Sequence, residues 1–362
     1  KGLANELKKE GNLPKIAVLR KNKRNYFKGE AVHISSSIIN ESKDQKNEVR
    51  LFVNKLLKNK KELIYNNQNI YDVKNGINEI EKINLGNDLE AGEYEIKISL
   101  IKDNREEYST SIKFNIFFID RRQKNLDVAV VKNDKKLINF FKKYNINYEL
   151  FSDKTNISKT LIVNESDTDF YSSKDGNIIQ RNNEEKSIDY NDLMEQVNNF
   201  TFKGGNVVFL KIPGKTRKRI GPNLTFVADG VDYLPSKPIK NISQGLWDGI
   251  LHINSKHPFF NELPVNINMS GIYENIAPTI SLRNFKGKNI VQTIAFDRIP
   301  DGNILKRNYI GSGEVWSGSD LSIVEYGKGK MVLSTLKLIE NINYDPVSEM
   351  VLLNIINYFR WQ

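Results

Sequence analysis

The amino-acid sequence predicts a multidomain β plus α/β chain, a β-sandwich followed by an open, largely parallel α/β sheet, on three observations. Residues 15–120 repeat short runs in which every second position is apolar, the period of a half-buried strand. After DRRQKN the pattern changes to buried-type strands alternating with amphipathic helices. The chain has 362 residues, more than one ordinary core accommodates, and its 39% hydrophobic and 10% aromatic content is enough to fill packed cores.

The runs KIAVLRK, AVHISSSIIN, VRLFVNKLL, KELIYN, INEIEKINL, GEYEIKISLI and SIKFNIFFI each read as a strand. In AVHISSSII the residues Val32, Ile34, Ser36 and Ile38 share one face, and in YEIKISL Tyr94, Ile96, Ile98 and Leu100 do the same. Polar stretches such as NESKDQKN and KDNREE supply the turns. About seven strands in about a hundred residues is the arithmetic of an immunoglobulin-like β-sandwich. No cysteine pair or buried core tryptophan marks an antibody-type domain, so the architecture alone is implied. Residues 1–14 read as a linker from an upstream region and 15–120 as the sandwich.

The α/β domain is expected over 121–362. LDVAVVK is a strand, and DKKLINFFKKYN places Leu137, Phe140, Phe141 and Tyr144 at helical spacing with lysines opposite. KTLIVNE is the next strand, IDYNDLMEQVNNFTFKGGN a helix stopped by Gly204 and Gly205, and VVFLK a further strand. Prolines at 213, 222, 235, 238, 258, 264 and 278 break the pattern over about 212–288, which reads as an irregular excursion packed against the sheet. NIVQTIAF and LSIVEYGKGKMVLSTL restore strands, the second folding on a Gly-Lys-Gly turn. The last helix starts with Asp345 as N-cap and Pro346 in the first turn, and VSEMVLLNIINYF is apolar around most of its circumference, as a core helix is.

Composition removes several classes of function. The net charge is +10, but the lysines are scattered through every segment beside an excess of Asn and Ile, so no basic face for nucleic acid is expected. No run reaches the roughly 18 apolar residues of a membrane-spanning helix. The absence of cysteine excludes disulfides, thiolate metal sites and cysteine nucleophiles, and the three histidines, His33, His252 and His257, are too few for a histidine-rich site. Neither a metal nor a cofactor is expected.

KIPGKTRKRIG, residues 211–221, looks at first like a phosphate-cradling loop after a strand. The first glycine of that motif falls at Phe209, and Pro213 lacks an N–H donor, so the stretch reads as a solvated basic loop leaving the sheet. Ser166 in LIVNESDTDFY has no glycine elbow and no histidine partner in sequence context, and reads as a loop serine. Glu165, Asp167 and Asp169, like Asp229 and Asp232, form acidic turns, and Asp297 beside Arg298 is a surface pair. His257, before Pro258, is a turn former, and Trp361 anchors the final helix. Trp247 in GLWDG and Trp316 in EVWSG are flanked by glycine and polar residues, the setting in which an indole is open to stack on a sugar. These two are the candidate carbohydrate contacts; no catalytic residue is assigned.

Taken together, YFKGEAVHISSSIINES and AGEYEIKISL resemble the β-sandwich that follows the catalytic barrel in glycoside hydrolase family 2, the β-galactosidase group. SKHPFFNELP, YENIAPT and GKGKMVLSTLKLIENINYDPVSEMVLLNIINYF resemble the flavodoxin-like, degenerate amidotransferase-like domain appended to some members. The resemblance covers most of residues 13–360 through packing signatures. Family catalysis uses two glutamates in a (β/α)₈ barrel, and no such barrel is written here. The resemblance therefore implies a non-catalytic accessory region of a polysaccharide-degrading enzyme, periplasmic or extracellular. Its expected partners are carbohydrate, the catalytic barrel of the same protein and further copies in a homo-oligomer. A free-standing carbohydrate-binding or surface-adhesion protein, and an enzyme built on the α/β domain, stay open as alternatives.

Overall fold

The computed structural model describes residues 13–120, 126–164, 169–172, 178–181, 190–211, 215–220, 225–229, 240–243, 250–278, 280–283, 287–297 and 314–360. The chain is β-rich with few helices, and it forms two compact units, Lys1–Ile119 and Asp120–Gln362.

The first unit contains β1 (Lys15–Lys21), β2 (Asn25–Phe27), β3 (His33–Asn40), β4 (Gln45–Leu56), β5 (Lys61–Val73), β6 (Gly76–Asn84), β7 (Gly92–Lys102) and β8 (Arg105–Phe117). They form a three-stranded sheet, β1-β3-β6, and a five-stranded sheet, β2-β8-β7-β4-β5. Alternate burial along β1, β3 and β4 is the period-two pattern made physical. One core joins the inner faces: Ala17, Ile34, Ile38 and Ile83 from the first sheet meet Val49, Leu51, Ile96, Ile98 and Phe114 from the second. Tyr94 stacks on Phe114 with centroids 5.0 Å apart, and Tyr26 meets the same ring edge-on at 5.7 Å. β7 turns into β8 through Asp103 and Asn104, whose φ of 49° and 60° suit the tight hairpin.

The second unit runs β9 (Asp127–Val130), α1 (Lys135–Tyr144), β10 (Asn147–Leu150), β11 (Thr160–Val163), β12 (Asp169–Ser172), β13 (Ile178–Arg181), α2 (Tyr190–Phe202), β14 (Asn206–Phe209), β15 (Lys215–Ile220), β16 (Thr225–Asp229) and β17 (Lys240–Ser243). It continues with β18 (Ile250–Asn254), β19 (Ile280–Arg283), β20 (Lys288–Asp297), β21 (Glu314–Tyr326), β22 (Gly329–Ser334), α3 (Leu338–Asn341) and α4 (Pro346–Arg360). β10, β9, β11, β14 and β22 lie side by side and parallel. Ala129, Leu161, Val163, Val207, Phe209, Met331 and Leu333 pack on Leu193, Met194, Val197 and Phe200 of α2. The alternate residues Val128, Val130, Ile162, Val208 and Val332 are buried as well, so the parallel strands are covered on both faces.

Local chemistry sets the boundaries. Asp134 caps α1 by accepting the Lys136 and Leu137 N–H groups at 2.8 and 3.0 Å, and Asn145 ends it in the left-handed region. Asp345, the expected N-cap of α4, accepts the Val347 N–H at 2.8 Å. Gly204 and Gly205 end α2 with N–H groups returned to Thr201 and Phe200. The α2 terminus abuts the β21–β22 hairpin: a Cβ on Gly329 would stand 2.1 Å from the Gly205 carbonyl oxygen, so only glycine fits there.

Beyond β22 the sheet continues as β21, β19, β17, β16 and β15, with β20 on the other side of β21 and β18 beside β20. The proline-broken stretch thus contributes strands to the same sheet. The basic run after Gly214 corrects the expectation of a loop: Lys215–Ile220 is β15, paired antiparallel with β16. Thr216 and Ile220 are β-branched and TFVAD offers a partner edge, which favours pairing over a free loop. A phosphate-cradling loop must open a helix; the segment after Gly214 opens a strand.

Candidate functional site

Among the described residues of the second unit, polar side chains concentrate where β18, β19, β20 and β21 meet. Along β20 and β21, Val291 pairs with Leu321 and Gln292 with Ser319, so Asp320 is the extra residue of a β-bulge. A bulge re-aims the side chain it carries. Here it delivers a fully buried carboxylate into the strand cluster.

Asp320 Oδ1 accepts the Ser281 hydroxyl at 2.6 Å, while Oδ2 accepts Thr293 Oγ1 at 2.5 Å and lies 2.8 Å from His252 Nδ1. Thr335, just past β22, donates its N–H to the Asp320 carbonyl at 2.9 Å. Ser281 and Thr293 also lie 2.8 Å apart, so two hydroxyls and two carboxylate oxygens close a ring. Burying a carboxylate is tolerable only with such donors around it. On either side of Asp320 in sequence, the buried Ser319 and Ser322 hydroxyls have no hydrogen-bond partner.

With a proton on His252 Nδ1 directed at Asp320, the ring's tautomer is set and Nε2 becomes its acceptor, as in a carboxylate-oriented general base. A hydrolytic relay further requires a hydroxyl on Nε2. Ser281 and Thr293 are bonded to the carboxylate instead, and among the described residues no hydroxyl is bonded to Nε2. The constellation orients an imidazole and ties four strands together.

The other buried acids are equally committed. Glu349 Oε2 accepts the Tyr144 hydroxyl at 2.5 Å and the Lys143 ammonium at 2.6 Å, and Oε1 accepts the Asn343 N–H at 2.9 Å. Asp345 accepts Asn275 Nδ2 at 2.6 Å besides capping α4. Lys337, after the carboxyl end of β22, has its ammonium pKa lowered by burial.

His257, read from the sequence as a turn former, caps the turn at Pro258 and is buried. Its Nδ1 accepts the Phe259 N–H at 3.3 Å, and its ring meets Phe259 and Tyr358 with centroids 4.4 and 5.2 Å away. Burial, then the Lys288 charge, lowers its pKa to about 4, so it is neutral near pH 7. Burial holds the nearby Tyr273 phenol, bonded to the Pro264 carbonyl at 2.5 Å, well above its usual range.

Of the candidate sugar contacts, Trp316 lies within β21 with its Cα opposite Ala295, on a strand rather than in a loop. Trp247 lies outside the described residues, as do Glu165, Ser166, Asp167, Asp232, Arg298 and Trp361. Asp169 opens β12 and Asp229 closes β16, so these acids, read as turn formers, stand at strand ends, and Asp297, read as half of a surface pair, closes β20. They are not brought together with His252 and Asp320 by any described pairing. That pair escaped sequence reasoning because its members are 68 positions apart. The available signal was a polar residue inside each apolar strand, His252 in ILHIN and Asp320 in SGSDLSIV.

No family model and no curated protein matches this chain. Among solved structures its neighbours include glycoside hydrolases and another carbohydrate-active enzyme, each at low identity and coverage. One is a β-glucosidase from Erythrobacter marinus, 12% identical with a TM-score of 0.23 over 28% of this chain and 15% of that one. A cycloisomaltooligosaccharide glucanotransferase from Paenibacillus sp., complexed with cycloisomaltoheptaose, is 10% identical with a TM-score of 0.25 over 53% of this chain and 27% of that one. The CARDB domain of a Pyrococcus furiosus protein, in complex with di-metal ions, is 11% identical with a TM-score of 0.22 over 28% of this chain and 87% of that domain. The chain thus spans about a seventh and about a quarter of the lengths of the two enzymes.

Proposed function

We propose that this chain is a non-catalytic accessory region of a glycoside hydrolase acting on poly- or oligosaccharides, of the family 2, β-galactosidase-like kind. In this reading the first unit is an immunoglobulin-like sandwich and the second a flavodoxin-like, degenerate amidotransferase-like domain. The parallel order β10-β9-β11-β14-β22, second-first-third-fourth-fifth in chain order among these strands, supports the flavodoxin-like assignment. The region serves as scaffold and as interdomain or oligomer contact for a catalytic barrel of the same polypeptide, in the periplasm or outside the cell. Trp247 and Trp316 supply its sugar contact.

One observation carries the non-catalytic assignment. Asp320, Asp345 and Glu349 are buried carboxylates, and all three are bound by donors of the fold. Glycoside hydrolysis needs a carboxyl pair facing a substrate cleft about 5–10 Å apart, one member able to change its protonation. Acids bound into strand and helix junctions are not available for that work.

The test is the intact mass of the native polypeptide together with turnover of aryl glycosides by this chain alone. The expected result is a mass well above 41.7 kDa and no turnover. A mass equal to that value overturns the accessory role in favour of a free-standing glycan-binding or adhesion protein. Turnover lost on Ser166→Ala overturns it in favour of an enzyme on the second unit.

A further inference from the structure

The first unit has a cavity of about 420 Å³ across one end of the β1-β3-β6 sheet. Arg20 pairs with Ser35 and Ser35 with Lys82, so these three stand in one row across three strands. His33 pairs with Asn84 in the next row. Arg20, His33, Lys82 and Asn84 are exposed, while Ile34 and Ile83 between them are buried, so the polar row belongs to the outer face. Neighbouring strands are about 4.8 Å apart, which puts the Arg20 and Lys82 backbones roughly 10 Å from each other on that face.

The charge there is one-sided. Arg20, Lys21 and Lys82 line the cavity, and no Asp or Glu does. Lys21 is engaged with the Lys113 carbonyl, and Lys82 keeps only an exposed ion pair with Glu79 at 3.8 Å, a type of little energetic worth. A concave surface whose lining charges are all cationic concentrates anions, with the Glu79 carboxylate offsetting Lys82 in part. The guanidinium fork of Arg20 matches a planar carboxylate through two parallel hydrogen bonds. Around it, Asn22, Ser35 and Asn84 offer neutral groups suited to hydroxyls. The volume falls within the roughly 300–1,000 Å³ of small-molecule sites, more room than a lone inorganic anion fills.

We propose that this cavity binds an acidic saccharide, with a uronate carboxylate on Arg20 and the sugar hydroxyls on Asn22, Ser35 and Asn84. The inference rests on the reading of the chain as part of a carbohydrate-active protein, and it names the class of sugar that protein holds.

The experiment is calorimetric titration of the full chain at low ionic strength with trigalacturonate, with neutral cellotriose and citrate as comparisons. Trigalacturonate is expected to saturate at one site and to weaken as salt rises, while cellotriose and citrate do not saturate. Arg20→Ala weakens binding at least tenfold, Arg20→Lys weakens it less, and Lys82→Ala weakens it severalfold. Lys58→Ala, which removes an exposed cation outside the cavity, leaves affinity unchanged. Arg20 is exposed, so its variants keep the fold, which far-UV circular dichroism verifies. The proposal is overturned by no saturable binding, by equal losses in Lys58→Ala and Arg20→Ala, or by citrate binding as tightly as trigalacturonate. Glycoside turnover by this chain is a separate readout, which overturns the accessory role and not the cavity.

Discussion

The carboxylate of Glu349 lies 2.6 Å from the Lys143 ammonium, joining the first turn of α4 to the last turn of α1. Each charge sits at the helix end that favours it, an anion at an N-terminus and a cation at a C-terminus. Glu349 is fully buried, and the Tyr144 hydroxyl and Asn343 N–H complete its coordination. Glu349→Ala should therefore cost about 3–5 kcal/mol, since it strands these donors. Lys143→Met, which leaves two donors on the carboxylate, should cost about 1–3 kcal/mol. Urea denaturation of both variants checks the order; a larger loss for Lys143→Met contradicts it.

The four-strand cluster around Asp320 predicts strong coupling. Asp320→Ala leaves His252, Ser281 and Thr293 without their shared acceptor and should destabilise by about 3–5 kcal/mol. Ser281→Ala should cost about 1–2 kcal/mol alone. In the double variant the second change should add almost nothing, because the partner is already gone. Strict additivity in the double-mutant cycle is the result that defeats the ring arrangement.

His257 makes stability depend on pH in a defined direction. Its folded pKa, about 4, lies below the ordinary value of 6.5, because burial disfavours the imidazolium. Between these values the unfolded chain binds more protons than the folded one, so stability rises with pH. The contribution is complete above about pH 6.5 and is lost as pH falls towards 4. Comparing denaturation midpoints at pH 4.5 and 7 should show a smaller drop in His257→Gln than in the parent chain. An unchanged drop would assign the acid sensitivity to other groups.

Gly329→Ala should lower the melting temperature. The added Cβ would stand 2.1 Å from Gly205 O and 2.5 Å from Thr201 O, both backbone atoms that cannot swing away. Overpacking of this kind costs roughly 1–3 kcal/mol. Gly86→Ala makes a useful comparison in differential scanning calorimetry, since its Cβ meets nothing within 4 Å and only its φ of 73° opposes it. Gly86→Ala matching or exceeding Gly329→Ala would mean that conformation, and not the close approach, governs the loss.

Sequence reasoning reached furthest where local chemistry and packing agree. The period-two runs at Lys15, His33, Gln45 and Gly92 are strands because one face of each meets a core. Leu137, Phe140, Phe141 and Tyr144 are buried on α1 as their spacing implied. It reached least far where the partner decides the structure. β15 is a strand only because β16 pairs with it, and a lysine-rich segment gives no period from which to infer that. Likewise His252 and Asp320 are ordinary polar residues until a one-residue bulge turns the carboxylate to the ring, and a bulge leaves no mark in composition.

β21 belongs to two neighbourhoods at once. Leu321–Tyr326 pair with β22 of the parallel layer, Ser319 and Gly318 pair with β19 of the antiparallel extension, and β20 runs along both halves. No peptide-bond boundary separates the two regions, since one strand of thirteen residues carries hydrogen bonds for each. Among the described residues, β21 therefore couples the parallel layer to the antiparallel extension. The amides of β21, β20 and β22 should exchange with solvent through a single concerted event.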